Sequence, residues 1–519
     1  MFSALSNFVN DIALGPQTRQ VKQYLAKATY ESVPEDLGKV LSSQLTGFRE
    51  RELLHTAFKN CSIEDSSGQK YWNEDSFRRH IKGTQSAATL SETEIQLLWR
   101  SFYFYAYHPF PRDVRDGKID FDAFQRAAQL LIFQCNDLLG TRELEWFWRN
   151  DAVFFQNASF ERIFRSIAVE KTAGQSSKPN YMNSSVSDAM DVLIMVGPQF
   201  MHAAPTPEQL EIVARTLFAT KASLQTEIKR QDMKTLIVLL LRLELQKEKW
   251  ATLYNFGEIV DSSPIVEELA EALVNSLIGN SSEEDTASEQ IVHAMNLVPN
   301  LQLRFYQLWS VLFQPSIANM DKSRPTSVNC SGAISLFAPQ IKMESHYHER
   351  GFEQDERFVL QLQAAGSEDI GDRLAQALLN DSAFVVLIRG DDPAGSRRVI
   401  FGAYFPSTKG GEKSRSDTSH LLFQLQPEFR LLEWMKTGVS PAELIQINGH
   451  IVSLGRAVTP SPDSMGEHSA GLQIDASNNV ATLTSGDGKW YKDINGKGCN
   501  NLSCEATAKK NSVDIYRVN

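Results

Sequence analysis

Ser419 and His420 are adjacent, His346 and His348 alternate, and Cys499 and Cys504 are separated by four residues. Each pair has residue types that could do chemistry. A serine nucleophile needs a base within hydrogen-bond reach and a third group to orient that base. Neighbours on a strand point to opposite faces, so the Ser419–His420 adjacency does not supply one. His346 and His348 would share a strand face and, with Cys499 and Cys504, carry zinc-ligand types. Structural zinc sites pair two fixed local spacings, and only loose ones are present, so no metal and no cofactor is expected. Cys504 is followed by Glu505, whose carboxylate disfavours the thiolate that redox work requires. A thiol- or hydrolase-type enzyme remains the alternative to a binding protein.

A second set of oxygen-bearing residues lies upstream. Arg115-Asp116-Gly117-Lys118-Ile119-Asp120-Phe121 sits between two apolar-patterned helical segments and resembles an EF-hand loop. With Gly117 at loop position 6, position 1 is Arg112, position 3 is Val114 and position 12 is Ala123. Only Asp116 and Asp120 could offer side-chain oxygens, whereas calcium takes six to eight, including a bidentate carboxylate at the last position. Glu64-Asp65-Ser66-Ser67-Gly68, followed by Trp72 and Phe77, reads as a more degenerate partner. The expectation is a pair of hands without metal.

The chain has 519 residues, with 52 Lys and Arg against 63 Asp and Glu, a net charge of −11. That balance argues against phosphate-dominated nucleic-acid binding. The longest apolar run, around Ile237 to Leu241, is closed by Lys234 and Arg242, far short of the roughly 20 residues of a membrane span. Five cysteines in a chain of this length form no disulfide framework and, with no secretory signal pattern, point to the cytoplasm.

The elements that would carry these residues divide into two styles. Ser91-Glu92-Thr93-Glu94 and Thr206-Pro207-Glu208-Gln209 are capping-box patterns ahead of helical apolar stripes. Helical patterning then runs to about residue 315, with Leu236 to Leu245 read as one buried helix. Short β-type runs follow: Phe384–Ile388, Val399–Phe405, a hairpin from Leu421 to Trp434, Gly471–Asp475, Val480–Thr484 and Val513–Val518. Gly402 is placed for close backbone approach, and Phe401, Phe423, Leu425 and Phe429 for the core. Many short strands with few helices between them favour an antiparallel sandwich. The division expected is 1–136, helical with degenerate EF-hand-like motifs; 137–316, irregular all-helical; 317–333, a linker; and 334–519, the β-rich domain.

The order VVLIRG, VIFGAYFPS, HLLFQLQPEFRLLEW, GLQID, CEA with Thr507, and VDIYRV resembles the TLDc domain over about 334–519. With its decayed EF-hands, the whole chain is similar to the fungal restriction-of-telomere-capping TLDc family. The resemblance implies a β-sandwich flanked by helices, after a helical N-terminal half. It also implies a non-enzymatic protein that engages peripheral subunits of the vacuolar proton-pumping ATPase and regulates its assembly. Such a protein would reach the vacuolar membrane surface only through that partner. Gly471, Asp475 and Glu505 match the family's GLWLD-like and CET-like motifs, with Gln473 in place of the aromatic. Lys409 and Lys413 make the loop after Phe405 basic, suited to an acidic partner surface. These five residues are the expected partner-binding set.

Overall fold

The computed structural model of the chain describes residues 2–45, 48–84, 90–112, 114, 117–133, 135–142, 152–170, 181–200, 203–219, 226–250, 254–278, 293–315, 336, 358–364, 383–395, 397–405, 420–434, 445–448, 451–455, 471–475, 477–484, 491–494 and 505–518. It is mixed α plus β, with a helical N-terminal half. The chain packs as two compact units, Met1–Asp261 with Gln302–Ser323 and Ser262–Leu301 with Arg324–Asn519. Residues 262–301, read in sequence within the 137–316 helical region, therefore pack in the second unit. The expected linker, 317–333, lies outside the described residues.

The helical unit begins with α1 (Phe2–Lys27), α2 (Ser32–Gln44) and α3 (Phe48–Cys61). The strands β1 (Ile63–Glu64) and β2 (Lys70–Tyr71) lead to α4 (Glu74–Gly83), followed by α5 (Glu92–Ala106) and α6 (Phe121–Leu131). Asn73 caps α4 and Asp120 caps α6, each side chain accepting from the backbone N–H three residues on. The loops ahead of α4 and α6 are joined by an antiparallel bridge in which Trp72 and Ile119 exchange N–H···O bonds of 2.8 Å. Trp72 is fully buried and its Nε1 donates to the Phe58 carbonyl at 2.9 Å. Asp65 Oδ1 accepts from Ser67 N, Ser67 Oγ and Gln69 N, so that oxygen serves its own loop.

The sequence capping boxes are present. Ser91 Oγ accepts from Glu94 N at 3.3 Å, and Ser91 N donates back to Glu94 Oε2 at 2.7 Å. Thr206 and Gln209 do the same at the start of α9, described below. Glu94 also takes a hydrogen bond from Arg242, both side chains nearly fully buried. A buried charge costs several kcal/mol unless paired, so this pair belongs to the core's specification.

Further helices are α7 (Ala152–Ile167), α8 (Tyr181–Val196), α9 (Pro207–Phe218) and α10 (Arg230–Arg242). Between α7 and α8 lies a fully buried polar cluster. Arg162 Nε donates to Asp188 Oδ1 at 2.8 Å, its Nη2 bonds Asp191, and its Nη1 reaches Asn136 Oδ1 at 3.3 Å. Arg165 Nη1 donates to Asp188 Oδ2 at 2.7 Å. Burial alone would raise the Asp188 pKa, but Arg165 and Arg162 hold it down at about 2.

Helical patterning was expected to run to residue 315, and among the described residues beyond α6 two two-stranded sheets interrupt it. β3 (Val169–Glu170) pairs with β4 (Thr226–Glu227), and α10 ends at Arg242, where β5 (Leu243–Lys249) pairs with β6 (Asn255–Ile259). The expected helix from Leu236 to Leu245 thus holds to Arg242, and Leu243 to Leu245 are strand instead. Val260 N donates to the Arg242 carbonyl, and Gly257 lies so close to β5 that a Cβ would come within 2.6 Å of the Glu244 carbonyl oxygen. A return strand supplied by residues 255–259 takes the hydrogen bonds that helix continuation would have used.

The second unit holds α11 (Pro264–Ile278); α12 (Leu301–Leu312) falls in the helical unit but for its first residue. Its strands are β7 (Phe358–Ala364), β8 (Ala383–Asp391), β9 (Arg398–Phe405), β10 (Leu421–Gln426), β11 (Arg430–Trp434) and β12 (Ile445–Asn448). β13 (Ile451–Leu454), β14 (Gly471–Asp475), β15 (Val480–Thr484), β16 (Tyr491–Asp493) and β17 (Glu505–Val518) complete them. They form one antiparallel sheet in the order β12-β13-β14-β15-β17-β8-β9-β10-β11-β16, with β7 also on β17. Every strand expected from sequence is present; β7, β12, β13 and β16 were not foreseen. The helix that the apolar spacing of Ile370, Leu374, Ala377 and Leu378 predicts lies outside the described residues.

Residues from both ends of this strand order share one apolar core, including Phe401, Leu422, Val452, Ile474 and Tyr491. Tyr491 Oη donates at 2.9 Å to the carbonyl of Gly455, just after β13, so the two ends of the order meet. Burying each large apolar side chain is worth about 2 kcal/mol. The opposite face of the β8–β11 half is also buried, through Val385, Leu387, Tyr404, Phe423 and Leu425. Over it lies α11, whose Ser276 Oγ donates to the Phe429 carbonyl at 2.9 Å and whose Glu268 accepts from Gln426 Nε2 at 3.0 Å.

Candidate functional site

The antiparallel register brings three of the expected residues to one side of the β12–β17 part of the sheet. Gly471 pairs with Thr484, which pairs with Glu505, so the three occupy one row across β14, β15 and β17. Gly471 and Glu505 are two strands apart, about 10 Å. Asp475 lies four residues along from Gly471 on the same face. Between these rows run Gln446, Ser453, Gln473 and Thr482, in register from β12 to β15. Leu472, Ile474, Ala481 and Leu483 point the other way, into the apolar core. The face away from the core carries amides and hydroxyls, with Gln446, Gln473 and Thr482 half-buried, Ser453 and Gly471 buried, Val480 beside Asp475, and Ile451 at its margin 36% exposed.

No family model matches this chain. No curated protein matches it significantly either.

Asp475 has a clear local role. Its Oδ1 accepts from Ser477 N at 3.0 Å, Ser477 Oγ at 2.6 Å and Asn478 N at 3.1 Å, while Oδ2 accepts from Asn478 Nδ2 at 2.7 Å. These bonds, from Ser477 and then Asn478, hold its pKa at about 2. They build the turn between β14 and β15, where Asn479 takes a left-handed φ of 54°. A depressed carboxylate contributes stability that is full above its unfolded pKa of about 3.9 and lost as pH falls toward 2. Asp475→Ala is expected to loosen this hairpin, read as faster amide exchange across Gly471–Thr484, and to remove that acid-dependent contribution. Unchanged exchange there would contradict the role.

His420 is 3% exposed and stacked on Phe405. Its Nε2 lies 2.8 Å from Tyr491 Oη, whose proton goes to Gly455, so Nε2 is the donor. Burial lowers its pKa to about 3, leaving a neutral core imidazole. Lys409, Lys413, Ser419, His346, His348, Cys499 and Cys504 lie outside the described residues, and of Glu505 only the strand position is described.

A second concavity was not foreseen. It lies in the helical unit, where α2 faces α6 and the end of α5, and has a volume of about 540 Å³. Its floor includes Arg126, 7% exposed, and Gln129, fully buried. One signal was visible in sequence: Arg126 and Gln129, two polar residues three apart on one face, are followed or separated only by Ala127, Ala128, Leu130 and Leu131.

Proposed function

We propose that this chain is a non-enzymatic regulatory binding protein whose sheet unit is a TLDc sandwich. Its partner would be the peripheral sector of the vacuolar proton-pumping ATPase, whose assembly state it modulates. Its loop-bridged helix pairs, with Ala123 where a calcium-binding loop needs a carboxylate, would be decayed EF-hands serving as scaffold. The observation that carries the reading is the polar sheet face on which Gly471, Asp475 and the Glu505 position converge.

Such a face recognises a partner through hydrogen bonds and shape. Binding one conformational state of a two-sector assembly shifts its population toward joined or separated sectors by the difference in affinity for the two. The protein would sit in the cytoplasm and reach the vacuolar surface through this partner; among the described residues, no helix is long and apolar enough to cross a membrane.

The test is reconstitution with the purified pump, scoring peripheral-sector release from vesicles. The wild-type chain is expected to change the released fraction. Gln473→Arg with Thr482→Arg, which puts two cations on the face and leaves the core side of β14 and β15 intact, is expected to abolish the change. No effect of the wild-type chain, or full activity of the double variant, sinks the proposal.

A further inference from the structure

The cleft in the helical unit has a built floor. Arg126 Nη1 donates to the Ala106 carbonyl, and its Nε has no partner. Among the described residues no carboxylate stands within ion-pair distance of this guanidinium. Leaving the buried Nε–H of a guanidinium without an acceptor is costly. Burial pushes the Arg126 pKa down, against the pull of Asp120 and Asp122. Three residues along the same helix face, Gln129 donates from Nε2 to Ser42 Oγ at 3.4 Å, while its Oε1 has no partner. A buried donor without an acceptor thus stands beside a buried acceptor without a donor.

The rim sets the charge of the rest of the ligand. Glu35 is tied to Lys39 at 2.9 Å, and Asp120 Oδ1 is used in capping α6. Glu31 and Asp122, both exposed rim residues, make no ion pair among the described residues. Arg112 lies over the Tyr107 ring at 4.3 Å. A purely anionic ligand would satisfy Arg126 but leave Gln129 Oε1 without a donor, and its charge would face this acidic rim.

We propose that the cleft binds a small amino-acid-type zwitterion with a basic side chain. Its carboxylate seats on Arg126, its ammonium donates to Gln129 Oε1, and its basic end reaches toward Glu31 and Asp122. The volume is within the range of about 300–1,000 Å³ usual for small-molecule sites.

Calorimetric titration of the full chain with L-arginine, L-glutamate and inorganic phosphate, at constant ionic strength, tests this. L-Arginine is expected to bind saturably at one site, and the other two at least about tenfold more weakly. Gln129→Leu should weaken L-arginine about tenfold, the worth of one hydrogen bond to a charged group. Asp122→Asn, an exposed change that leaves the fold intact, should weaken it severalfold and leave L-glutamine, a neutral probe, unaffected. Absence of L-arginine binding up to about 10 mM, phosphate binding as tight as L-arginine, or L-arginine affinity unchanged in Asp122→Asn would each overturn the proposal.

Discussion

Arg162→Leu is expected to destabilise the helical unit by about 3 kcal/mol or more at pH 7. The change removes the fully buried guanidinium that bonds Asp188, Asp191 and Asn136 at once. Asp188 then keeps Arg165 but loses half of the charge that holds its pKa at about 2. In the wild type that depressed pKa contributes stability that is complete above about pH 4 and disappears as pH falls toward 2. In the variant the buried Asp188 carboxylate binds a proton more readily, so the deficit should shrink as pH drops from 7 to 4. Urea unfolding at pH 7 and pH 5 reads both effects. Arg162→Lys keeps the charge without the planar fork and should recover less than half of the loss. A cost under about 1 kcal/mol at pH 7 would mean that the cluster does not hold α7 to α8.

Gly402→Ala is expected to cost the sheet unit about 3 kcal/mol or more. An added Cβ would come within 2.0 Å of the Val386 carbonyl oxygen and 2.7 Å of Phe423 Cζ. The carbonyl belongs to β8, which pairs with β9 along its length, so it can retreat only by opening the ladder. Phe423 is fully buried and has nowhere to swing. Adding Phe423→Leu should return part of the loss by clearing the ring, and the β8 carbonyl should account for what remains. Thermal unfolding of the wild type and the two variants measures this, and full stability in Gly402→Ala would contradict the close approach.

Gly402 was legible in sequence because a glycine inside a strand weakens it and marks a point where packed neighbours leave no room for a Cβ. The capping boxes at Ser91 and Thr206 were legible because their chemistry is local. Phe384–Ile388 was legible for its length and composition. Leu243 was not, since an apolar run reads equally as buried helix or strand, and what ends α10 there is a return strand from residues 255–259. β12 and β13 are only four residues each, too short for alternation to stand out, and β13 is held by its pairing with β14 while β12 is held by β13.

The site divides the same way. Register placed Gly471 and Glu505 in one row, a fact no spacing of 34 residues could show. The Asp475 carboxylate, read as a partner contact, is engaged with Ser477 and Asn478; that Asx geometry was visible in Asp475 to Asn478 as a turn signal. Arg126 and Gln129 lie within a helix buried almost all round, where composition gives no depth. The Arg162 cluster joins residues 26 and 29 positions apart and leaves no local pattern.

The chain passes between its two units three times, after Asp261, Leu301 and Ser323. Once the helical unit has gathered α12 onto its core, the excursion from Ser262 to Leu301 is a tethered loop with both ends anchored. Closing a loop is charged against whichever unit folds first, at a cost that grows only as the logarithm of its length. The segment that carries α11 is then confined near one place before any strand pairs. The sheet receives its covering helix with much of that helix's translational freedom already surrendered. Cutting the backbone between Asp261 and Ser262 would break no contact and still make the sheet unit harder to assemble.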